Sequence, residues 1–212
     1  MVLEAARIVR LDSVPIPRRE VFRRAGYPAG RLEDVPEGIR SLLEAEVERA
    51  RTFFEPRGIV RLLRVSSRSD SAIAFQDTDV RFHSRQVAAL LRKADRVVAF
   101  LTTIGPALER EVDALTSAGE TTRAFLLDAV GSETADALAD ALHRGVLSQE
   151  ADAAGYRVTP RFSPGYGDWP LESQRELVPL CEGMRIGVSL TPSCMMLPRK
   201  SVSAVLGWIP KE

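Results

Sequence analysis

The stretch RVVAFLTTIGPALEREVDALTSAG, Arg96 to Gly119, decides the fold class. Its opening run is continuously apolar, as expected of a strand covered on both faces. The run stops at Gly105, and Pro106 stands at the first position of the helix that follows. Strand, glycine turn and helix N-terminus in succession mark an α/β chain. Free amides and the helix dipole at such a junction can hold an anion. No GxGxxG or GKS pattern accompanies it, so plain packing is the preferred reading.

Upstream of that stretch, alternation and β-branched content predict short strands at Ala6–Leu11, Gly58–Val65 and Ala72–Gln76. PEGIRSLLEAEVERARTFF, from Pro36, spaces Ile39, Leu42, Leu43, Val47, Ala50, Phe53 and Phe54 as the apolar face of a helix. FHSRQVAALLRKAD reads as another helix, with Ser84 as its cap.

Downstream, Thr121 to about Ala153 reads as one long helix or two abutting ones. Gly131 and Gly145 each cost it of order 1 kcal/mol against alanine, so Gly131 points to a group that must approach closely there. Glu133, Asp136 and Asp140 follow at i, i+3 and i+7 and share one helix face; spacing alone favours a solvated acidic stripe. The last third reads YRVTPRF (strand), a SPGYGDWP turn, LESQRELVPLCE (helix), MRIGVSL (strand), TPSCMMLPRK (loop) and SVSAVLGWI (strand). A single α/β domain is expected, residues 56–212, with residues 1–55 packed on it as a helical arm.

Composition narrows the function classes. The 212 residues are 45% hydrophobic and 27% charged, enough for one sizeable core. Lys+Arg and Asp+Glu both number 29, so no global field favours nucleic acid or an anionic membrane. Glu4, Arg7 and Arg10 interrupt the first apolar positions, which argues against a secretory leader, and no apolar run approaches the roughly 18 residues of a membrane span. A cytoplasmic location is expected. Cys181 and Cys194 lack CxxC spacing and a histidine cluster, and read as two buried thiols with no metal.

Two loops carry chemistry. In RFSPGYGDWPLESQ, Arg161 to Gln174, Pro164 and Pro170 fix their own φ angles, while Gly165 and Gly167 allow backbone geometry closed to other residues. The result is a pre-shaped loop. At Gly165 a ligand can lie against the main chain, Arg161 can clamp a carboxylate in bidentate fashion, and Tyr166 adds a ring and a hydroxyl. These parts suit a small zwitterionic ligand with a carboxylate and a positive centre. The second loop, TPSCMMLPRKSVS, sets Met195 and Met196 among Thr191, Ser193, Ser201 and Ser203. Core filling is the simpler reading of the methionines; a contact surface for a large flat ligand is the other.

The segment RFSPGYGDWPLESQRELVPLCEGMRIGVSLTPSCMMLPRKSVSAVLG resembles the activation domain of cobalamin-dependent methionine synthase, an S-adenosylmethionine-binding module. Arg161, Gly165 and Tyr166 match that family's R-x-x-x-G-Y motif. Thr191, Ser193, Met196, Pro198, Ser201, Val202 and Ser203 match its I-x-L-T-x-S-x-x-M-x-P-x-x-S-V-S-G pattern. Ala204 departs where the long enzymes have glycine, and Pro192 replaces the usual glutamate. Upstream, ADALADALH resembles the family helix that lends an acidic residue to the ligand's amino group, which points to Asp136, with Glu133 as the nearby alternative. REVFRRAGY is only generic.

The resemblance implies a mainly antiparallel, twisted sheet flanked by long helices. It implies a free-standing activation protein, ending at the SVS strand without the C-terminal hairpin and helix of the full-length enzyme's domain. The implied task is reductive reactivation of cob(II)alamin carried by a partner, a shortened methionine synthase or another corrinoid methyltransferase protein. The chain would not be catalytic alone. Arg161 would hold the methionine carboxylate, Asp136 or Glu133 the ammonium, and the Ser163–Gly165 backbone the adenosyl portion. Tyr166, the candidate catalytic residue, would face sulfonium and cobalt. Thr191, Met196, Ser201 and Ser203 would face the corrinoid partner. No flavin, iron–sulfur or nicotinamide motif is present, so an external flavodoxin- or ferredoxin-type donor would supply the electron. The alternatives are a stand-alone S-adenosylmethionine-dependent methyltransferase of small molecules, for which no glycine fingerprint is found, and a ligand-sensing or scaffold protein of the same fold.

Overall fold

The structure is a computed structural model that describes residues 5–11, 14–27, 35–76 and 78–211. Glu4 and parts of the expected arm, residues 1–4, 12–13 and 28–34, lie outside the described residues.

The central element is β5 (Arg96–Thr103), the strand read first from sequence. On one side it pairs antiparallel with β2 (Arg57–Arg68), and on the other with β9 (Ser201–Pro210), from Arg96 opposite Trp208 to Thr103 opposite Ser201. β3 (Ala72–Phe75) and β4 (Arg81–His83) extend the sheet beyond β2, and β1 (Arg7–Val9) pairs with the first part of β2. β6 (Tyr156–Val158) closes the far edge on β9. The order is β4-β3-β2-β5-β9-β6 and every pairing is antiparallel, as the resemblance implied.

Alternation along β5 divides the interior. Val97, Ala99 and Leu101 face a core shared with α3 (Arg85–Leu90) and α7 (Gln174–Leu180), through Val87, Leu177 and Leu180. Val98 and Phe100 face the opposite core, built on the end of α5 (Thr121–Ala141), a wider π-helical turn at Leu142–Leu147, and α6 (Ser148–Ala153). A third cluster joins α1 (Arg18–Arg24), α2 (Glu37–Ala50), α4 (Ala107–Ser117) and α5. Buried Glu46 of α2 draws in Arg123 of α5 at 2.6 Å, an ion pair that ties these helices together.

Several predicted elements are shorter than read. Residues 82 and 83 are in β4, and the helix begins only at Arg85, where Ser84 accepts from the Val87 amide at 3.0 Å as the predicted cap. YRVTPRF is a strand only to Val158. Pro160 has no amide to donate, and pairing with β9 resumes at a single bridge, Phe162 to Val205. MRIGVSL is mostly not a strand. Glu182 (φ 57°) and Gly187 (φ 77°) are left-handed, which bounds a 3-10 turn at Gly183–Ile186 and leaves only β7 (Ser189–Leu190), paired with β8 (Met196–Leu197).

The strand–glycine–helix junction is packed by the chain itself. Gly105 (φ 82°) donates to Thr103 Oγ1 at 3.1 Å, and a Cβ there would sit 2.9 Å from that of Glu55. Glu109, in the first turn of α4, accepts from the Lys200 amide at 2.6 Å. Gly131 has the predicted close approach: a Cβ would lie 2.6 Å from Leu108 Cδ2 and 3.3 Å from Lys200 Cε. Lys200 runs across it to Asp128 at 2.6 Å and Ser132 at 2.7 Å. Gly131→Val should therefore destabilise the fold by about 1–3 kcal/mol through overpacking, read from urea unfolding; an unchanged midpoint would contradict this contact.

Candidate functional site

The single bridge between Phe162 and Val205 sets the local geometry. Phe162 turns toward the core containing Trp169, so its neighbour Arg161 turns the other way, toward α5. There its Nη2 donates to Asp136 Oδ1 at 2.6 Å and its Nε to Asp140 Oδ1 at 3.1 Å. Asp136 and Asp140 are one turn apart on α5, which is why a single guanidinium meets both. The Arg161 side chain is only 21% exposed, against 62% for Asp136. Burial works against the charged guanidinium, but the hydrogen bonds and charges of Asp136 and then Asp140 outweigh it and hold the pKa above its already high ordinary value.

Glu133, on the same helix, is placed elsewhere. It is buried and receives Arg24 of α1 at 2.5 Å. Two carboxylates of the acidic face thus converge on Arg161 and the third is taken by the N-terminal segment.

The loop that follows Arg161 closes on itself. Gly165 N donates to Trp169 O at 2.8 Å, Trp169 N to Tyr166 O at 3.0 Å, and Tyr166 N to Ser163 O at 3.4 Å. Gly165 (φ 92°) and Gly167 (φ 56°) supply the left-handed backbone this ring needs. A Cβ at Gly165 would meet only Leu171, at 3.4 Å, so the main chain is open to approach there although its amide is used within the loop. Trp169 is fully buried against Phe82 (5.2 Å between centroids) and Phe162 (6.4 Å). Tyr166, at the tip, is 69% exposed.

The second motif shapes its own turn. Thr191 accepts from the Met195 amide at 3.1 Å and lies 2.9 Å from Ser193 Oγ, while Cys194 (φ 65°) is left-handed. Met196 is half-buried in β8, and Met195 and Leu197 beside it are exposed. Ser201 and Ser203 are buried: Ser201 donates to Pro198 O at 2.7 Å, and Ser203 accepts from Gln174 Nε2 at 2.8 Å. Pro192 is exposed, and its carbonyl accepts from Arg175 at 2.5 Å. Ala204 is fully buried on the α5 side, opposite Phe100, where its methyl fills core space.

The sequence gives no site role to three participants. Asp140 was legible only as part of an acidic stripe, although its i+4 spacing from Asp136 was the available signal. Gln174 links the helix after the loop to β9. Asp168 reaches α3, 84 positions upstream at Ser84, a long-range contact with no local signature. Its carboxylate sits below its ordinary range: the Ser84 hydroxyl is the largest cause, desolvation opposes it, and the Arg85 and Gln86 amides add to the lowering. Both cysteines are free and buried, and burial pushes the Cys181 thiol far up. Among the described residues, no His, Cys, Asp and Glu cluster could hold a metal, and no helix is long and apolar enough to cross a membrane.

Residues 85–211 match the family model described as vitamin B12 dependent methionine synthase, activation domain. A crystal structure of the MetH reactivation domain bound to AdoHcy superposes with a TM-score of 0.72 at 20% sequence identity, covering 100% of this chain and 81% of that one. The likeness establishes a shared fold of the reactivation-domain kind. The family match spans more than half of the chain, which belongs to the activation-domain family of vitamin B12-dependent methionine synthase.

His143, in the π-helical turn beyond Asp140, is buried with Nε2 3.1 Å from Thr159 O. Desolvation lowers its pKa below the ordinary 6.5, more than the Thr159 carbonyl raises it. The unfolded chain therefore takes up a proton near pH 6.5 that the folded chain refuses. The stability conferred by neutral His143 should be complete above pH 6.5 and decline as pH falls toward the lower folded value. His143→Gln should flatten that slope in denaturant melts from pH 7.5 to 5; an unaltered slope would assign it to other groups.

Proposed function

We propose that the chain binds S-adenosylmethionine at Arg161 and the Ser163–Tyr166 loop, and supports reductive methylation of cob(II)alamin on a partner corrinoid protein, a split or shortened methionine synthase above all. The observation that carries this reading is a half-buried guanidinium between two carboxylates, beside an open glycine backbone and an exposed tyrosine. The donor set fits a methionine moiety. The ligand's α-carboxylate replaces Asp136 on Arg161 while its α-ammonium takes the freed Asp136, so no charge is left unpaired. Asp140 keeps Nε in place during the exchange. Glu133, already held by Arg24, is the weaker choice for the ammonium. The Ser163–Gly165 backbone carries the adenosyl portion, and Tyr166 flanks the sulfonium.

When bound, S-adenosylmethionine supplies the methyl group and the partner's cobalt carries the chemistry. This chain binds, orients and excludes water. The partner face is the hairpin of Thr191, Met196 and the exposed Met195 and Leu197, held in shape from beneath by Ser201 and Ser203. An external flavodoxin- or ferredoxin-type donor provides the electron, and the work is done in the cytoplasm. Residues 1–55 act as an arm of the domain 56–212, holding Glu133 through Arg24.

Calorimetry should detect S-adenosylmethionine binding to the wild type, weakened about ten- to hundredfold in Arg161→Ala, since charge-assisted hydrogen bonds are worth about 1.5–3 kcal/mol. No heat with the wild-type protein would leave the scaffold reading. With a cobalt(II) corrinoid protein and a reductant present, Met195→Glu, Ser201→Ala and Ser203→Ala should lose reactivation while retaining ligand binding. Full reactivation by all three would remove this hairpin from the partner face, and methyl transfer to a small molecule without a corrinoid protein would favour the plain methyltransferase.

A further inference from the structure

The ring of residues from Ser163 to Trp169 stands on two feet. One is Trp169, sunk among Phe82 and Phe162. The other is the carboxylate of Asp168, which crosses to the start of α3. There Oδ1 accepts from Ser84 Oγ at 2.5 Å and from the Gln86 amide at 3.3 Å, and Oδ2 accepts from the Arg85 amide at 2.7 Å. Gly167 is pressed against the same helix, for a Cβ there would fall 1.8 Å from Gln86 Oε1. Ser84 serves both sides, donating its hydroxyl proton to Asp168 while accepting from the Val87 amide at 3.0 Å.

These contacts bear on the tip of the loop. Tyr166 lies between Gly165 and Gly167, two residues free to leave their observed backbone angles, and its own side chain is mostly in solvent. Packing of the Tyr166 side chain therefore contributes little to holding it. Beyond the loop's own backbone hydrogen bonds, its placement depends on what fixes residues 167–169, which is α3 for Gly167 and Asp168 and the buried core for Trp169. A loop held in one conformation before the ligand arrives avoids an ordering cost on binding.

We propose that Asp168 is a positioning residue: by clipping the Ser163–Trp169 ring to Ser84, Arg85 and Gln86, it holds Gly165 and Tyr166 in the conformation that receives ligand. The proposal rests on the reading that this loop binds S-adenosylmethionine. It makes the start of α3 part of the binding apparatus, and it gives Ser84 a second task beyond capping its helix.

The test combines calorimetry with hydrogen exchange read by mass spectrometry on the full chain. Asp168→Ala should raise the Kd for S-adenosylmethionine about tenfold. The Gly165 and Trp169 amides should exchange faster in the free variant and recover protection when ligand is saturating. Asp168→Asn keeps an acceptor for Ser84 and Gln86 and should fall between the variant and the wild type on both measures. A purely stabilising role would lower the melting temperature but leave the Kd and the native-state exchange of the loop as in the wild type, and that result overturns the proposal. If Asp168→Ala does not fold, Asp168→Asn and Ser84→Ala decide by the same two readouts. Wild-type protein that binds no S-adenosylmethionine, with loop exchange still faster in Asp168→Ala, overturns the ligand role of the loop while the structural clip survives. Ligand bound equally by both proteins overturns the positioning role alone.

Discussion

A half-buried guanidinium must be paired, and Arg161 is paired twice, to Asp136 and Asp140 on consecutive turns of α5. The rest of the site takes its orientation from that contact. The β5–β9 ladder fixes Val205, Val205 fixes Phe162 through a single bridge, and the alternation of side chains then sends Arg161 to the helix and Phe162 to Trp169. One backbone register therefore sets both the charged and the apolar ends of the loop. The ion pair spans helix and sheet edge, so it also keeps α5 at a fixed distance from the loop that carries Tyr166.

The loop's own economy is different. It uses no regular secondary structure, and its stability is drawn from neighbours: a buried indole, of the sort whose truncation to alanine costs about 3–5 kcal/mol, and a carboxylate bonded to α3. Its outward side, Gly165 and Tyr166, is left open. Rigid beneath and open above is the arrangement expected of a loop that receives a small molecule. The second motif repeats the pattern, with Ser201 and Ser203 hydrogen-bonded below and Met195 and Leu197 exposed above.

Much of this was legible in the sequence because it is local. The buried strand Arg96–Thr103, the Ser84 cap, the close approach at Gly131 and the left-handed glycines of SPGYGDWP all follow from residue type and spacing, and family membership follows from two motifs in order. What escaped depends on distance. Asp168 meets α3 across 84 residues from Ser84, Glu133 is claimed by Arg24 across 109 residues, and Gln174 finds Ser203 across 29. The misread strand at MRIGVSL had a different cause. Apolar content suggested extension, but Gly183 is wedged against Val178 and Leu101, and the left-handed Glu182 and Gly187 turn the chain on either side. The two departures from the family pattern are accommodated: Ala204 lies within the core and Pro192 uses its carbonyl rather than a side chain.

The central claim is that a zwitterion exchanges places with an internal ion pair. A crystal structure of the chain with S-adenosylhomocysteine bears on it most directly. The expected result is the ligand carboxylate within hydrogen-bonding distance of the Arg161 guanidinium and its ammonium on Asp136, with Asp140 still on Nε. A ligand seated elsewhere while Asp136 remains on Arg161 would contradict it.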